Sequence, residues 1–155
     1  MSIRLLNALT EHYDLEESAA TDPTIVVPSE VDFVPRPGDD LESMIWVLTY
    51  AIMLRHHEGL QGPKKAQYKL NVVDGFYGNL SYSGLAEKRE VMVFRSIRSL
   101  YNGPEEWTPD PAERKWFRRA MTLVAGGLMP SLDGSVKAIT SNAFDALCDE
   151  FITDE

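Results

Sequence analysis

The chain has 155 residues and a mass of 17.4 kDa, which suits one domain of ordinary size. Hydrophobic residues make up 44% and charged residues 25%, a composition typical of a globular protein and not of a disordered one. The formal net charge of -9 repels polyphosphate and anionic lipid, so we expect no nucleic-acid partner and no membrane partner. A single cysteine, Cys148, and the absence of a signal-peptide pattern favour an intracellular location, cytoplasmic or nuclear.

The first forty residues predict a short helix followed by an extended segment. Ile3, Leu6 and Leu9 recur at helical spacing, and the acidic stretch from Glu11 to Asp22 is then expected to form a loop. Four prolines between Ile25 and Gly38 oppose both a helix and a central strand, because proline fixes φ and lacks an N–H donor. We therefore expect an ordered, extended connector there.

The clearest helix start in the chain lies at Asp39. Glu42 follows at the spacing of a capping box, ahead of an apolar run that continues to Leu54. Apolar residues cover every side of this helix, so we expect the rest of the protein to surround it. Arg55 and two histidines favour the negative end of the helix, and Gly59, Gly62 and Pro63 are expected to end it.

Further helices are expected in the second half of the chain. One is predicted from about Lys64 to Tyr77, and another from Gly84 to Tyr101, whose basic side carries Lys88, Arg89, Arg95 and Arg98. No stretch of period-two alternation longer than a few residues is present, so the fold class predicted is all-α.

The last two predicted helices have clear start or packing signals. Asp110, Pro111 and Glu113 supply an N-cap, a first-turn proline and a capping-box acid for a helix that runs to about Leu128. A closing helix shows helical spacing of its apolar positions, Phe144, Leu147, Cys148, Phe151 and Ile152.

One motif is specific enough to resemble a known family. Asp39, Asp40, Leu41, Glu42 and Ser43, followed by the apolar run, resemble the aspartate-leucine-glutamate-serine motif of fungal-type protein kinases. In that family the motif opens the central F helix of the C-lobe. The segment from 73 to 89 is also similar to family members. The first six residues resemble the segment just after the activation loop, but this match is short.

The resemblance implies a helical bundle like a kinase C-lobe around a central buried helix at about 40–55. Residues 1–155 would form one partial kinase-like domain, with a helix and proline-rich connector in 1–38 and a helical core in 39–155. Asp40, with Ser43, would then be the structural aspartate that accepts hydrogen bonds from the catalytic loop. Equally, Asp39 or Asp40 could simply cap the helix by satisfying its unpaired N–H groups.

The residues that perform phosphotransfer in kinases are not found in this sequence. That chemistry needs a nucleotide-binding lysine, a catalytic-loop aspartate and magnesium ligands. The kinase motif that binds magnesium is Asp-Phe-Gly, and Asp74-Gly75-Phe76 contains the same residues in the wrong order. We therefore predict no catalytic residue and no cofactor for this chain, whereas a full-length relative would use ATP and magnesium. No metal site is predicted either, because adjacent His56 and His57 point about 100° apart on a helix.

Two functions remain open. The first is a fragment or degenerate copy of a fungal-type serine/threonine protein kinase that is not competent alone. The second is a non-enzymatic interaction module that retains a C-lobe surface, with a protein partner or self-association in either case. A candidate partner-binding patch combines Trp116 with neighbouring basic residues, although helical aromatics more often face the core. Its basic members are Arg114, Lys115, Arg118 and Arg119.

Overall fold

The computed structural model describes residues 1–74, 81–98, 107–129 and 135–153. Helices are the only regular elements of these residues, which confirms the all-α prediction. In chain order they are α1 (Ile3–Thr21), α2 (Pro37–Gly59), α3 (Gly62–Tyr68) with a π-helical continuation (Lys69–Val73), α4 (Tyr82–Arg98), α5 (Pro111–Leu128) and α6 (Ser141–Thr153).

Several predicted positions lie outside the part of the chain that the structure describes. They are the middle of the resembling segment (75–80), the end of the predicted fourth helix (99–101), and the side chains of Arg98, Phe151 and Ile152.

Helix α1 is longer than the sequence predicts. It continues from Ile3 to Thr21, so the expected loop from Glu11 to Asp22 is wrong for all but its last residue. Glutamate and alanine, which are good helix formers, carry the helix through this exposed stretch without any need for an apolar face. The following residues up to Arg36 are non-helical, which agrees with the predicted connector.

Helix α2 begins two residues earlier than predicted, at Pro37. Proline is well placed there because the first N–H groups of a helix have no intrahelical partner. The Asp39 carboxylate accepts the Arg36 N–H at 2.7 Å, so Asp39 takes the third position of the capping box. Glu42, predicted for that position, makes different contacts that are described below.

The core is formed by one side of α2 against α3, the π segment and α5, while α4 packs between α1 and α5, and α6 packs on α5. Its largest fully buried side chains include Trp46, Trp107, Phe117 and Met53. The predicted enclosure of α2 is wrong for one face. Four apolar residues on that face are exposed: Met44, Val47, Leu48 and Ala51.

Helical spacing predicts one apolar face for the third helix, Ala66, Leu70, Val73 and Tyr77, and this prediction is wrong at Ala66 and Leu70. Leu70 is 68% exposed and Ala66 is exposed, whereas Tyr68 and Val72 are buried together with Val73. The π-helical segment explains the change, because its wider turn shifts the phase of the side chains relative to an α-helix. Gly62, at a φ of 56°, makes the left-handed turn that brings α3 back along the end of α2.

Candidate functional site

Glu42 of the kinase-like motif holds α1 against α2. Its Oε1 accepts the backbone N–H of Ile3 at 2.7 Å and the indole N–H of Trp46 at 2.9 Å, and the side chain is buried. Burial raises the pKa of Glu42, while the two hydrogen bonds and the charge of Arg89 act in the opposite direction. This glutamate therefore has a structural role in the described fold.

Arg89 of α4 completes the same buried cluster. Its guanidinium lies 4.9 Å from the centroid of the Trp46 ring, and it donates a hydrogen bond to the backbone carbonyl of Met1. The predicted basic side of α4 therefore does not act as one surface, since Arg89 is buried while Lys88 and Arg95 are exposed. A cation over an indole face also stabilises the packing of α4 on α2.

Asp39 and Asp40, adjacent in sequence, occupy different environments. Asp39 is buried and pairs with Arg4 of α1 at 2.7 Å, in addition to accepting the Arg36 N–H. Asp40 is exposed and makes no hydrogen bond within the described residues. Asp39 therefore ties α1 to the start of α2, and Asp40 is open to solvent on the outer face.

The other two motif residues support the helix itself. The Ser43 hydroxyl donates to the Asp39 carbonyl at 2.8 Å, and Leu41 packs against the core at its edge. We call Asp39 and Glu42, with their partners Arg4 and Trp46, the motif corner. Within the part of the chain that the structure describes, the hydrogen bonds of Asp39 and Glu42 join them to α1, to α2 and to Arg36, so the motif corner positions helices.

The predicted basic and aromatic patch on α5 is divided between core and surface. Trp116 is only 4% exposed and packs edge-to-face with Phe117, at 5.5 Å between ring centroids. Lys115 and Arg119 are exposed, and Arg114 and Arg118 are half-buried. Trp116 is therefore not available to a partner's surface, and binding by the basic residues stays a prediction.

Glu113 does not act as the capping-box acid that the sequence predicts. Its carboxylate is buried and accepts hydrogen bonds from Arg55 of α2 and from Thr108. The predicted N-cap of α5 is confirmed, since Asp110 accepts the Ala112 N–H at 2.8 Å. Glu113 thus joins the end of α2 to the start of α5.

A cleft of about 450 Å³ lies between the end of α2, α3, the π segment and α4. We call it the basic cleft, because its cationic lining residues are Lys64 of α3 with Lys88 and Arg95 of α4. His56 lies at its edge on α2. No carboxylate is present among the described residues that line it.

The cations of the basic cleft have no internal counter-charge in the described part of the chain. No ion pair there joins Lys64, Lys88 or Arg95 to a carboxylate. The amide side chains of Gln67 and Asn71, which also line the cleft, make no hydrogen bond within the same residues. The donors of this cleft are therefore available to a ligand.

Apolar and aromatic side chains form the floor of the basic cleft. The Tyr68 hydroxyl donates to the Trp107 carbonyl at 2.5 Å, and burial raises the pKa of Tyr68. The His56 ring meets the Tyr68 ring edge-to-face at 4.8 Å, and partial burial lowers the pKa of His56. These contacts hold the aromatic side chains of the floor in place, and the polar side chains of the cleft lie around them.

Other types of site find little support in the described residues. Within residues 1–74, 81–98, 107–129 and 135–153, no group of three or more histidine, cysteine, aspartate or glutamate side chains is placed to hold a metal ion. Among the same residues, no helix combines the length and the apolar character that crossing a bilayer requires.

Comparisons with protein-family models, with curated proteins and with solved structures find no match to this chain. The resemblance to fungal-type protein kinases therefore depends on the sequence motifs alone.

Sequence reasoning did not identify the basic cleft. The positive charge of α4 and the histidines at the end of α2 were visible as separate features, and Lys64 lies just after a turn. Their proximity depends on the turn at Gly62 and on the π segment, which the apolar pattern does not reveal.

Proposed function

We propose that this chain is a kinase C-lobe-like helical domain, a fragment or degenerate copy of a fungal-type serine/threonine kinase, that does not transfer phosphate by itself. The observation that supports this proposal is the exposed face of α2. Met44, Val47, Leu48 and Ala51 form an apolar stripe, which we call the α2 stripe, and Asp40 lies at its beginning on the same helical face.

The position of Asp40 is the one that the resemblance implies for the structural aspartate. In kinases this aspartate accepts hydrogen bonds from backbone N–H groups of the catalytic loop. Here Asp40 is exposed and makes no hydrogen bond within the described residues, and the apolar side chains that follow it on this face are exposed. A segment with free N–H groups and apolar side chains, such as the catalytic-loop region of a kinase, would fit this face.

The α2 stripe also favours the second function, a non-enzymatic interaction module. Contiguous apolar surface on a soluble domain usually marks a binding site for another protein. In the isolated chain the available partner is a second copy, so the same stripe is expected to mediate self-association. Protein binding and the absence of phosphotransfer are compatible, and we propose both for this chain.

The enzymatic part of the proposal is tested by a phosphotransfer assay on the purified chain. Radiolabelled ATP, magnesium and general kinase substrates should give no incorporation above the level without protein, because positioning and charge stabilisation by the catalytic residues are needed. Robust magnesium-dependent labelling by the isolated chain would overturn the proposal.

The binding part is tested by sedimentation velocity over a wide range of protein concentration. We expect concentration-dependent association of the natural chain, reduced by Val47→Asp, because an aspartate on the stripe opposes apolar contact. Leu70→Asp is the matched control, since Leu70 is 68% exposed and Val47 66%, yet Leu70 lies away from the stripe. A monodisperse monomer at all concentrations, or equal effects of the two variants, would contradict this role.

A further inference from the structure

The basic cleft concentrates positive charge in a protein whose net charge is -9. Lys64 comes from α3, while Lys88 and Arg95 lie seven residues apart on one face of α4. Like charges gathered around one concavity repel each other, and low-dielectric walls strengthen the field inside it. An anionic ligand would relieve this repulsion.

The lining chemistry favours a phosphoryl group. Arginine offers a planar fork of N–H donors, and lysine a compact charge, both of which suit phosphate oxygens. Neighbouring amides of Gln67 and Asn71 add neutral donors at the same cleft. A dianionic phosphate with three acceptor oxygens matches several such donors better than a single carboxylate does.

The floor of the cleft indicates what carries the phosphate. Trp107 and Tyr68 are buried, so they offer no open ring face on which a nucleotide base could stack. Leu60, Val72 and Val91 instead supply aliphatic lining beside the cations. A peptide with an apolar side chain next to a phosphorylated residue would contact both the cations and the aliphatic lining. A long polyanion such as a nucleic acid is disfavoured, because the net charge of the whole chain is negative.

The π-helical segment adds an independent structural observation. Residues Lys69–Val73 place Asn71 and Val72 at the cleft, and π-helical turns occur frequently at functional sites. A regular α-helix would give these side chains a different phase. The segment therefore contributes directly to the shape of the concavity.

The geometry points to the basic cleft as a binding site for a phosphorylated segment of a partner protein. Lys64, Lys88 and Arg95 contact the phosphate, and the aliphatic lining contacts a neighbouring apolar residue of that segment. This site is separate from the α2 stripe and does not depend on the relationship to kinases.

The test is binding of a fluorescein-labelled library of phosphoserine peptides with leucine on either side of the phosphoserine, measured by fluorescence anisotropy at 0.15 M salt. We expect saturable binding that disappears with the unphosphorylated library. Lys88→Gln and Arg95→Gln should each weaken binding about tenfold, the loss that corresponds to one charge-assisted hydrogen bond.

Adjacent lysines provide the matched control. Lys64→Gln should weaken binding, whereas Lys65→Gln removes the same charge from a residue outside the cleft lining and should weaken binding less, because the Lys65 ammonium does not contact the phosphate. All four side chains are at least partly exposed, so circular dichroism should show every variant folded.

Competition identifies the source of the phosphate. Unlabelled phosphopeptide should displace the probe at much lower concentration than inorganic phosphate, because the apolar contacts belong to the peptide. The assignment is overturned by equal binding of the unphosphorylated library, by equal loss in Lys64→Gln and Lys65→Gln, or by no binding of any peptide. Competition by inorganic phosphate as strong as by peptide would overturn the peptide assignment.

Discussion

The motif corner and the basic cleft use charge in opposite ways. At the motif corner, Asp39 and Glu42 are buried, and their oxygens accept hydrogen bonds from α1, α2 and the chain before α2. At the cleft, Lys64, Lys88 and Arg95 have no carboxylate partner among the described residues. Carboxyl oxygens that accept hydrogen bonds inside the fold hold its helices together, whereas cations without a partner around a concavity are available for binding.

The largest stability effect should come from removing the Glu42 carboxylate. Glu42→Ala leaves the buried donors of Ile3 and Trp46 without an acceptor, so the free energy of unfolding should fall by about 2 to 4 kcal/mol. Glu42→Gln keeps an acceptor oxygen and should lose no more than about 1 kcal/mol. Urea unfolding followed by circular dichroism measures both, and an Ala variant as stable as the Gln variant would contradict the structural role.

Asp39 and Asp40 provide a comparison within the motif. Asp39→Asn removes charge-assisted contacts with Arg4 and with the Arg36 N–H, and it should cost about 1 to 2 kcal/mol. Asp40→Asn changes an exposed residue and should cost no more than about 0.5 to 1 kcal/mol, the range for a charge near a helix start. Urea unfolding of the two variants in parallel checks the order. A larger loss at Asp40 would show a buried charged role there.

The pH dependence of stability should follow the raised pKa of Glu42. The native state holds the Glu42 proton more tightly than the unfolded chain, in which the pKa is near 4.5. The contribution of this proton to stability is therefore fully present below about pH 4.5 and is lost as the pH rises through the raised pKa.

The Glu42→Gln variant isolates that contribution, because glutamine resembles the protonated acid and does not titrate. The natural chain should lose stability relative to this variant as the pH rises above about 4.5, measured by urea unfolding at each pH. If the free energy of unfolding of the natural chain instead rises relative to that of the variant with increasing pH, the charge of Arg89 and the hydrogen bonds outweigh burial at this site.

The smallest stability effects should come from the basic cleft. Lys64→Gln, Lys88→Gln and Arg95→Gln each remove an exposed charge that has no partner among the described residues, so the free energy of unfolding should change by no more than about 0.5 kcal/mol. Thermal unfolding of the three variants checks this. A loss as large as that at Asp39 would show that these cations stabilise the fold and are not reserved for a ligand.

The elements of the fold could be predicted from local signals where those signals were strong. Asp110 and Pro111 fixed the start of α5, and Gly59 fixed the end of α2, because caps and breakers act within a few residues. The extent of α1 was missed, since its second half has no apolar periodicity and depends on helix propensity alone. The π segment was missed because its phase shift leaves no distinct pattern in a single sequence.

The candidate sites were less predictable than the fold. The motif indicated that Asp39, Asp40 and Glu42 belong to a helix start, but not which carboxylates are buried, because that depends on where α1 and Arg89 pack. The basic cleft joins residues from α3 and α4 with Trp107. Such proximity is a product of tertiary packing, which spacing along the chain does not determine.

The separation of a structural motif corner from a ligand-binding cleft is tested most directly by an amide and indole NMR titration with a single phosphoserine peptide chosen from the library. Saturable chemical-shift changes should be confined to the cleft, at Lys64, Asn71, Lys88, Arg95 and the Trp107 indole, and they should be absent from Asp39 to Trp46. Changes centred on the motif corner, or no saturable changes anywhere, would contradict the account.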